Sequence, residues 1–364
     1  MQDIIARLVR PEIRALHAYH VPDAAGLIKL DAMENPYPWP PEIQEEWHCL
    51  LSAAEINRYP HPQAPLVQTA LREAMGIPAD MGLVLGNGSD ELIQMLAMTV
   101  GGPGRKVLSL DPGFVMYRMI ATFTGMGYVG VPLRQDGFAL DLPAVLDALE
   151  REEPVLTYIA YPNNPTGNLF PAEEIVQIIE AAPGLVILDE AYAPFTDATF
   201  LPRLGTWPNL LVMRTVSKMG LAGLRLGYLA GPREWIEQVD KVRLPYNINA
   251  LTQASSALAL RHRTLFDAQT AAIRAERARL FSALASLDGV EPYPSQANFI
   301  LMRLTDTQAD KVFEGLRGRG VLVKNLHGAH PLLAECLRVT VGRPEEDAAF
   351  LAALAALIQR PDRR

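Results

Sequence analysis

Two cysteines in 364 residues, Cys49 and Cys336, are too few and too far apart for a disulfide framework, and no Cys or His spacing resembles a zinc site. The seven histidines include no His-x-x-x-His pair on a helical pattern. His17 and His20 lie close together, as do His327 and His330. Neither pair has a companion cysteine or acidic cluster, so no metal centre is expected. No apolar run approaches the ~20 residues of a membrane span, so no membrane partner is expected. The opening stretch MQDIIARLVRPEIRAL lacks a long apolar core and a small-residue cleavage site. It does not read as a secretory signal, and the expected location is the reduced cytoplasm. Basic residues form no patch and the net charge is −8, which argues against nucleic acid as a partner.

What the chain does have is apolar sequence. It makes up 49% of the residues, enough for a sizeable core, in a length that suits two packed domains. Through the middle, short apolar runs alternate with helical patterns. GLVLGNG reads as a strand entering a turn, and SDELIQMLAMTV as a helix capped by Ser89 or Asp90. KVLSLDP is a strand, followed by a helix, FVMYRMIATFTG, that ends at glycine. VLTYIAYP, LVILDEAY and LLVMRTVS are almost continuously apolar, as suits strands buried on both faces of a parallel sheet. PAEEIVQIIEAA, between the first two, is a helix with Pro171 at its start. This alternation predicts an α/β domain with a mostly parallel central sheet flanked by helices. After about residue 248 the pattern changes to long Ala/Leu/Arg-rich helix, then to short strands (NFILMRL, GVLVKNL, CLRVTVG) and a final helix carrying Phe350, Leu354 and Leu357 on one face. That predicts a smaller α+β domain, with the Pro-rich NPYPWPPE as an extended segment near the junction.

Four strand ends carry polar groups. In LGNGSDE, Gly86 and Gly88 precede a helix start, where free backbone N–H groups and the helix dipole favour an anion. The third glycine of a dinucleotide fingerprint is missing, since Glu91 stands in its place, and no G-K-[ST] follows, which argues against a P-loop. YPNNPTG puts Asn164 just past a buried strand, where α/β sheets hold their ligands. Its plain alternative is a polar turn satisfied by its own hydrogen bonds. LVILDEAY ends in Asp189 and Glu190, with Tyr192 two further on. A carboxylate buried there needs a cationic partner, either a protonated ring nitrogen or a buried arginine. In TVSKMGLAGLRLGY, Lys218 reaches the same edge and can form an imine with an aldehyde if its pKa is lowered, while Ser217 and Arg225 suit a phosphate. Together these groups describe a protonated heteroaromatic ring bearing an aldehyde and a phosphate, which is pyridoxal 5′-phosphate.

The set GNGSDE, NNPTG, DEAY and SK…R resembles, in order and rough spacing over nearly the whole chain, the aspartate-aminotransferase-like superfamily of fold-type I. Within it IKLDAMENPY, NRYPHPQ, YPNNPTGN and CLRVTVGRPEE resemble the histidinol-phosphate aminotransferase family. The resemblance implies a large cofactor-binding domain over 52–248, and an N-terminal arm and small domain from 1–51 with 249–364. It implies that Lys218 holds the cofactor covalently and shuttles a proton, that Asp189 pairs with the ring nitrogen, and that Asn164 and Tyr192 contact the ring 3-oxygen. Ser89, Asp90, Ser217 and Arg225 would hold the phosphate, joined by Tyr59 from a neighbouring subunit of a homodimer with shared active sites. Phe114 would stack on the ring, Arg338 and Lys324 would meet the anionic ends of substrates, and Tyr19 and Asn35 would line the pocket. The implied reaction is transamination of L-histidinol phosphate with 2-oxoglutarate. An aromatic or other amine donor, or decarboxylation of threonine phosphate, would suit the same fold. A cofactor-binding regulatory module is not expected, since such modules usually carry a DNA-binding domain and the residues before the α/β core are not basic enough to suggest one, and a nicotinamide-linked dehydrogenase would need the missing glycine. Three departures stand out: Phe114 where a tyrosine is common, a spacing of seven between Lys218 and Arg225 where eight is common, and Lys324 where arginine is common.

Overall fold

A computed structural model describes residues 2–18 and 21–358. The N-terminal arm holds helices α1 (Gln2–Leu8) and α2 (Pro11–Arg14), a two-residue strand β1 (Ile28–Lys29) and helix α3 (Pro41–Ser52). After α4 (Pro65–Met75) the alternation begins: β2 (Gly82–Gly86), α5 (Ser89–Val100), β3 (Lys106–Asp111), α6 (Val115–Thr124), β4 (Gly127–Pro132), α7 (Leu142–Glu152), β5 (Leu156–Ala160), α8 (Ala172–Ala181), β6 (Leu185–Asp189), β7 (Leu210–Thr215), β8 (Gly227–Gly231) and α9 (Arg233–Asp240). Two helices, α10 (Ala250–Arg261) and α11 (Arg263–Ala285), lead to β9 (Val290–Pro292), β10 (Phe299–Leu304), α12 (Ala309–Arg317), β11 (Val321–Leu322), β12 (Lys324–Asn325), β13 (Cys336–Thr340) and α13 (Pro344–Ile358).

The central sheet has seven strands in the order β2-β8-β7-β6-β5-β3-β4. It is parallel except for β8, which runs antiparallel to both β2 and β7. Every residue of β5 and β6 is buried, as their apolar runs require. The side chains alternate between faces: Val186, Leu188, Leu210 and Val212 join the core that includes α4 and α8, whereas Leu185, Ile187, Leu211 and Met213 join the core beneath α5 and α6. A second, antiparallel sheet, β12-β13-β10-β9, shares a core with α12 and α13. Helix α10 lies against α4 and α3, with the Thr252 hydroxyl donating to Leu224 O at 3.0 Å.

Two expectations are corrected. The first residue of α5 is Ser89 and its cap is Gly88 (φ 86°, ψ 168°), with no side-chain capping bond, so the amides of the first turn are left for another acceptor. GVLVKNL is two strands, not one. Val321 and Leu322 pair with β1 and Lys324 and Asn325 with β13, because the segment passes from one sheet to the other at Val323. Among the described residues, no helix is long and apolar enough to cross a membrane, and no cluster of potential ligands could hold a metal ion.

The start of α13 holds a titrating joint. Asp347 is wholly buried, accepts from the Gly342 amide at 2.9 Å and faces Glu276 of α11. Burial, reinforced by Glu276, pushes its carboxyl up to about 7. The folded state therefore favours the protonated form, so this contribution to stability is full at low pH and is lost as pH rises through about 7. Between pH 6 and 8 the wild-type chain should lose roughly 1 kcal/mol through this group, and Asp347→Asn should remove that slope. Thermal unfolding at both pH values checks it, and an unchanged slope in Asp347→Asn would refute it.

Candidate active site

The parallel strands β5, β6 and β7 end along one edge of the sheet, and the expected groups meet there. A cavity of about 420 Å³ is lined by Ser89, Asp90, Phe114, Asn164, Asp189, Tyr192, Ser217, Lys218 and Arg225. Ala32, Met33 and Glu34 of the N-terminal arm also line it.

Strand period decides the two acidic residues. Asp189 continues the series Leu185, Ile187 toward the α5/α6 face, and Glu190 falls on the other. Glu190 is paired there: Arg214, on the same face as Val212, donates to its Oε2 from Nε at 2.9 Å and Nη2 at 2.6 Å, and the Phe200 amide donates to Oε1. The buried-arginine alternative is thus correct for Glu190. Asp189 has no such partner. Its Oδ2 accepts from the Tyr117 hydroxyl at 2.7 Å and its Oδ1 from the Ala191 amide at 3.1 Å, and among the described residues it makes no ion pair. Burial pushes it up to about 6, against the lowering effect of those two donors.

Lys218 follows β7 in a π-turn, Ser217–Leu221. Its Nζ donates to Ala32 O at 3.1 Å and lies 5.9 Å from the centre of the Tyr192 ring. Burial, with Arg338 nearby, lowers its ammonium to about 8, although Glu34 and Asp90 pull the other way. Behind this turn sits Asn35, expected to line the substrate pocket, and it is not among the residues that line this cavity. Its Nδ2 donates to Met219 O and Gln269 Oε1, both at 2.9 Å, so it braces the lysine turn from the far side and borders a different cavity.

An anion cradle closes one end. Gly88 has φ 86°, and a Cβ there would come within 2.5 Å of Arg225 Nη2. A Cβ on Gly227 would lie 2.8 Å from the Ser89 amide nitrogen. Both glycines therefore keep the first turn of α5 open beside the guanidinium. Arg225 is itself held left-handed at φ 51°, with Asp90 Oδ2 3.6 Å from Nη2. Ser217 Oγ shares a 2.8 Å hydrogen bond with Thr215 Oγ1. Burial raises the Asp90 carboxyl, although Arg225 and Lys218 both lower it.

Opposite the cradle, Arg338 Nη1 donates to Asn164 Oδ1 at 2.5 Å, and Asn164 Nδ2 donates to Tyr192 Oη at 3.1 Å. Lys324 is the direct strand partner of Arg338. Both line a second chamber of about 720 Å³, which shares Ala32, Met33, Asp90 and Phe114 with the first. Burial and Arg338 lower the Lys324 ammonium, with Asp31 opposing. Tyr19 lies outside the described residues. Tyr59 is not in the cavity: it is 81% exposed and stacks on Tyr246 with ring centroids 4.5 Å apart. Tyr117, Thr215, Met33 and Glu34 are at the site without having been expected. Only Tyr117 left a signal, one helical turn beyond Phe114 in GFVMY.

These groups fit pyridoxal 5′-phosphate on their own chemistry: a buried carboxylate lacking a cation, a lysine with a lowered pKa and an anion cradle border one cavity. The sequence model of the aminotransferase class I and II family matches residues 25–354. Histidinol-phosphate aminotransferase 2 of Nitrosococcus oceani is 56% identical over 355 residues, 98% of this chain and 98% of the relative. Histidinol-phosphate aminotransferase of Chromobacterium violaceum is 52% identical over 354 residues, 97% of this chain and 99% of the relative. Among solved structures, the histidinol-phosphate aminotransferase from Sinorhizobium meliloti in complex with pyridoxal-5′-phosphate superposes with a TM-score of 0.85 at 26% identity, covering 96% of this chain and 97% of that one.

Only a neutral lysine attacks an aldehyde. The rate at which pyridoxal 5′-phosphate attaches to the cofactor-free chain should therefore rise with pH and reach half its maximum near 8, set by the lowered Lys218 ammonium. Stopped-flow absorbance measures it. A midpoint near 10.5, the ordinary lysine value, would show that burial does not activate Lys218.

Proposed function

The chain belongs to the aminotransferase class I and II family, and within it to the histidinol-phosphate aminotransferases; from that premise we propose that it moves the amino group of L-histidinol phosphate to 2-oxoglutarate, giving imidazole acetol phosphate and L-glutamate in a reversible ping-pong exchange. It is an aminotransferase that depends on pyridoxal 5′-phosphate, in histidine biosynthesis. The observation that carries the choice of substrate is the pairing of Lys324 with Arg338 at the chamber next to the cofactor cavity. A phosphate bears up to two negative charges and suits two cations, while a carboxylate is served by one.

Bound at this site, pyridoxal 5′-phosphate supplies a protonated ring that takes up the electron pair left when a C–H bond breaks. Asp189 would hold the proton on the ring nitrogen. Asn164 and Tyr192 would donate to the ring 3-oxygen, with Asn164 oriented by Arg338. Ser89, Ser217, Arg225 and the first-turn amides, that of Asp90 included, would hold the phosphate. Phe114 would cover the ring face and shed water from it. Lys218 would hold the cofactor at rest and, once released and neutral, take the proton from the amine-bearing carbon of the substrate at Nζ. Arg338 would clasp the anionic end of either substrate, and Lys324 the phosphate.

The working unit is a cytoplasmic homodimer with shared sites. Two observations support this reading. Tyr59 and Tyr246 stack on the surface, and their segments also expose Ile56 and Leu244, an apolar group suited to a second copy of the chain. Both cysteines are free thiols, as in a reducing compartment.

Two experiments test the proposal. Mixing Lys218→Ala with Tyr59→Phe, each impaired alone, should restore activity in mixed dimers that assemble one intact site. No recovery, or a monomer at working concentration, would count against shared sites. Lys324→Ala should raise the KM for histidinol phosphate by about ten- to a hundredfold, equivalent to ~1–3 kcal/mol for a charge-assisted contact, and that for glutamate far less. Arg338→Ala should damage both half-reactions. Single-turnover rates against the concentration of each donor decide it, and equal losses for both donors in Lys324→Ala would overturn the choice of substrate.

A further inference from the structure

Asp189 sits in surroundings that oppose its charge. Asp90 from α5 and Glu190, its neighbour in sequence, both disfavour a second carboxylate, and the phenols of Tyr158 on β5 and Tyr192 also face it. Tyr117 of α6 is the one side-chain donor to it among the described residues. Tyr117 is itself 1% exposed. It is held by stacking on Tyr158, with ring centroids 4.7 Å apart and planes within 7°, and by an edge contact from Phe114 at 5.4 Å. A phenol so fixed has few rotamers open to it, and its hydroxyl stays 2.7 Å from Oδ2.

We infer that Tyr117 is a positioning residue for Asp189, its hydroxyl keeping that carboxyl ionised and oriented for the cofactor ring. The inference rests on the proposed role of Asp189 at the ring nitrogen. Two donors act on the carboxyl, Tyr117 on Oδ2 and the Ala191 amide on Oδ1, and together they fix its plane. A donor to the charged form favours that form, and a hydrogen bond to an ion is stronger than one between neutral groups. Tyr117 does not lose its own proton in the working range, because burial and the charge of Asp189 raise its phenol well above the ordinary tyrosine value. It is thus a donor at every pH the enzyme meets.

The test is a titration of the Asp189 carboxyl by ¹³C NMR in the full chain stripped of cofactor, its signal assigned by its loss in Asp189→Asn. Tyr117→Phe keeps the ring and its stacking. It should move the midpoint of Asp189 upward by roughly one to two pH units, the scale of a hydrogen bond to a charged group. Replacing Tyr117 with 3-fluorotyrosine, a stronger donor of nearly the same shape, should move it downward and serves if the phenylalanine variant folds poorly. In the loaded enzyme the acid limb of the kcat profile should shift in the same two directions. A midpoint unmoved by either change, or a shifted midpoint with an unmoved acid limb, overturns the inference. An unmoved midpoint alongside an inactive Asp189→Asn sinks this inference alone. Full activity in Asp189→Asn sinks the role of Asp189 and the inference with it.

Discussion

The two-residue period at the end of β6 is the constraint on which the site depends. It turns two adjacent carboxylates to opposite faces of one sheet. Glu190 meets Arg214, a buried pair satisfied on both sides. Asp189 meets aromatic rings and two neutral donors instead. Swapping the faces would give the arginine to the wrong carboxylate. The cation is withheld from one of two chemically similar groups, and the proposed mechanism depends on that difference.

Withholding it has a cost. Burial holds Asp189 about two pH units above an ordinary carboxyl, which disfavours its ionised form by roughly 3 kcal/mol. Lys218 is displaced the other way, and Arg338 contributes to that displacement. Arg338 also fixes the Asn164 amide, which reaches Tyr192. One guanidinium thus adds to the burial that lowers the Lys218 ammonium, holds the Asn164 amide, and faces the second chamber beside Lys324. On the proposed mechanism pyridoxal 5′-phosphate would answer these imbalances together, with a cationic ring for Asp189, an aldehyde for Lys218 and an anion for the α5 cradle. Its binding and the stability of the empty fold are therefore coupled.

Much of this was legible in the sequence because strand ends are local. Asn164, Asp189 and Lys218 each follow a short apolar run, and a parallel sheet brings such ends to one edge whatever the loop lengths. The large sheet and the later helices were legible for the same reason, since apolar period is a local property. What was hidden depends on distance in three dimensions. Gly88 caps α5 in place of Ser89, at a positive φ and with Arg225, far along the chain, lying against it. Asn35 looked like a pocket residue but is consumed by Met219 and Gln269. GVLVKNL read as one strand because no composition signal marks the crossing at Val323. Tyr117 is buried in the core, and nothing in GFVMY shows that its hydroxyl meets a carboxylate on another element.

The central claim is that Asp189 is a carboxylate built to receive a cation. Calorimetric affinity for pyridoxal 5′-phosphate, measured from pH 5 to 8 for the wild-type chain and for Asp189→Asn, tests it most directly. The other titrating groups act in both proteins, so the difference between the two isolates Asp189. If the account holds, the wild-type advantage is largest near pH 8 and shrinks as pH falls through about 6, where Asp189 takes up a proton. An advantage that is absent, or that stays constant across that range, would contradict it.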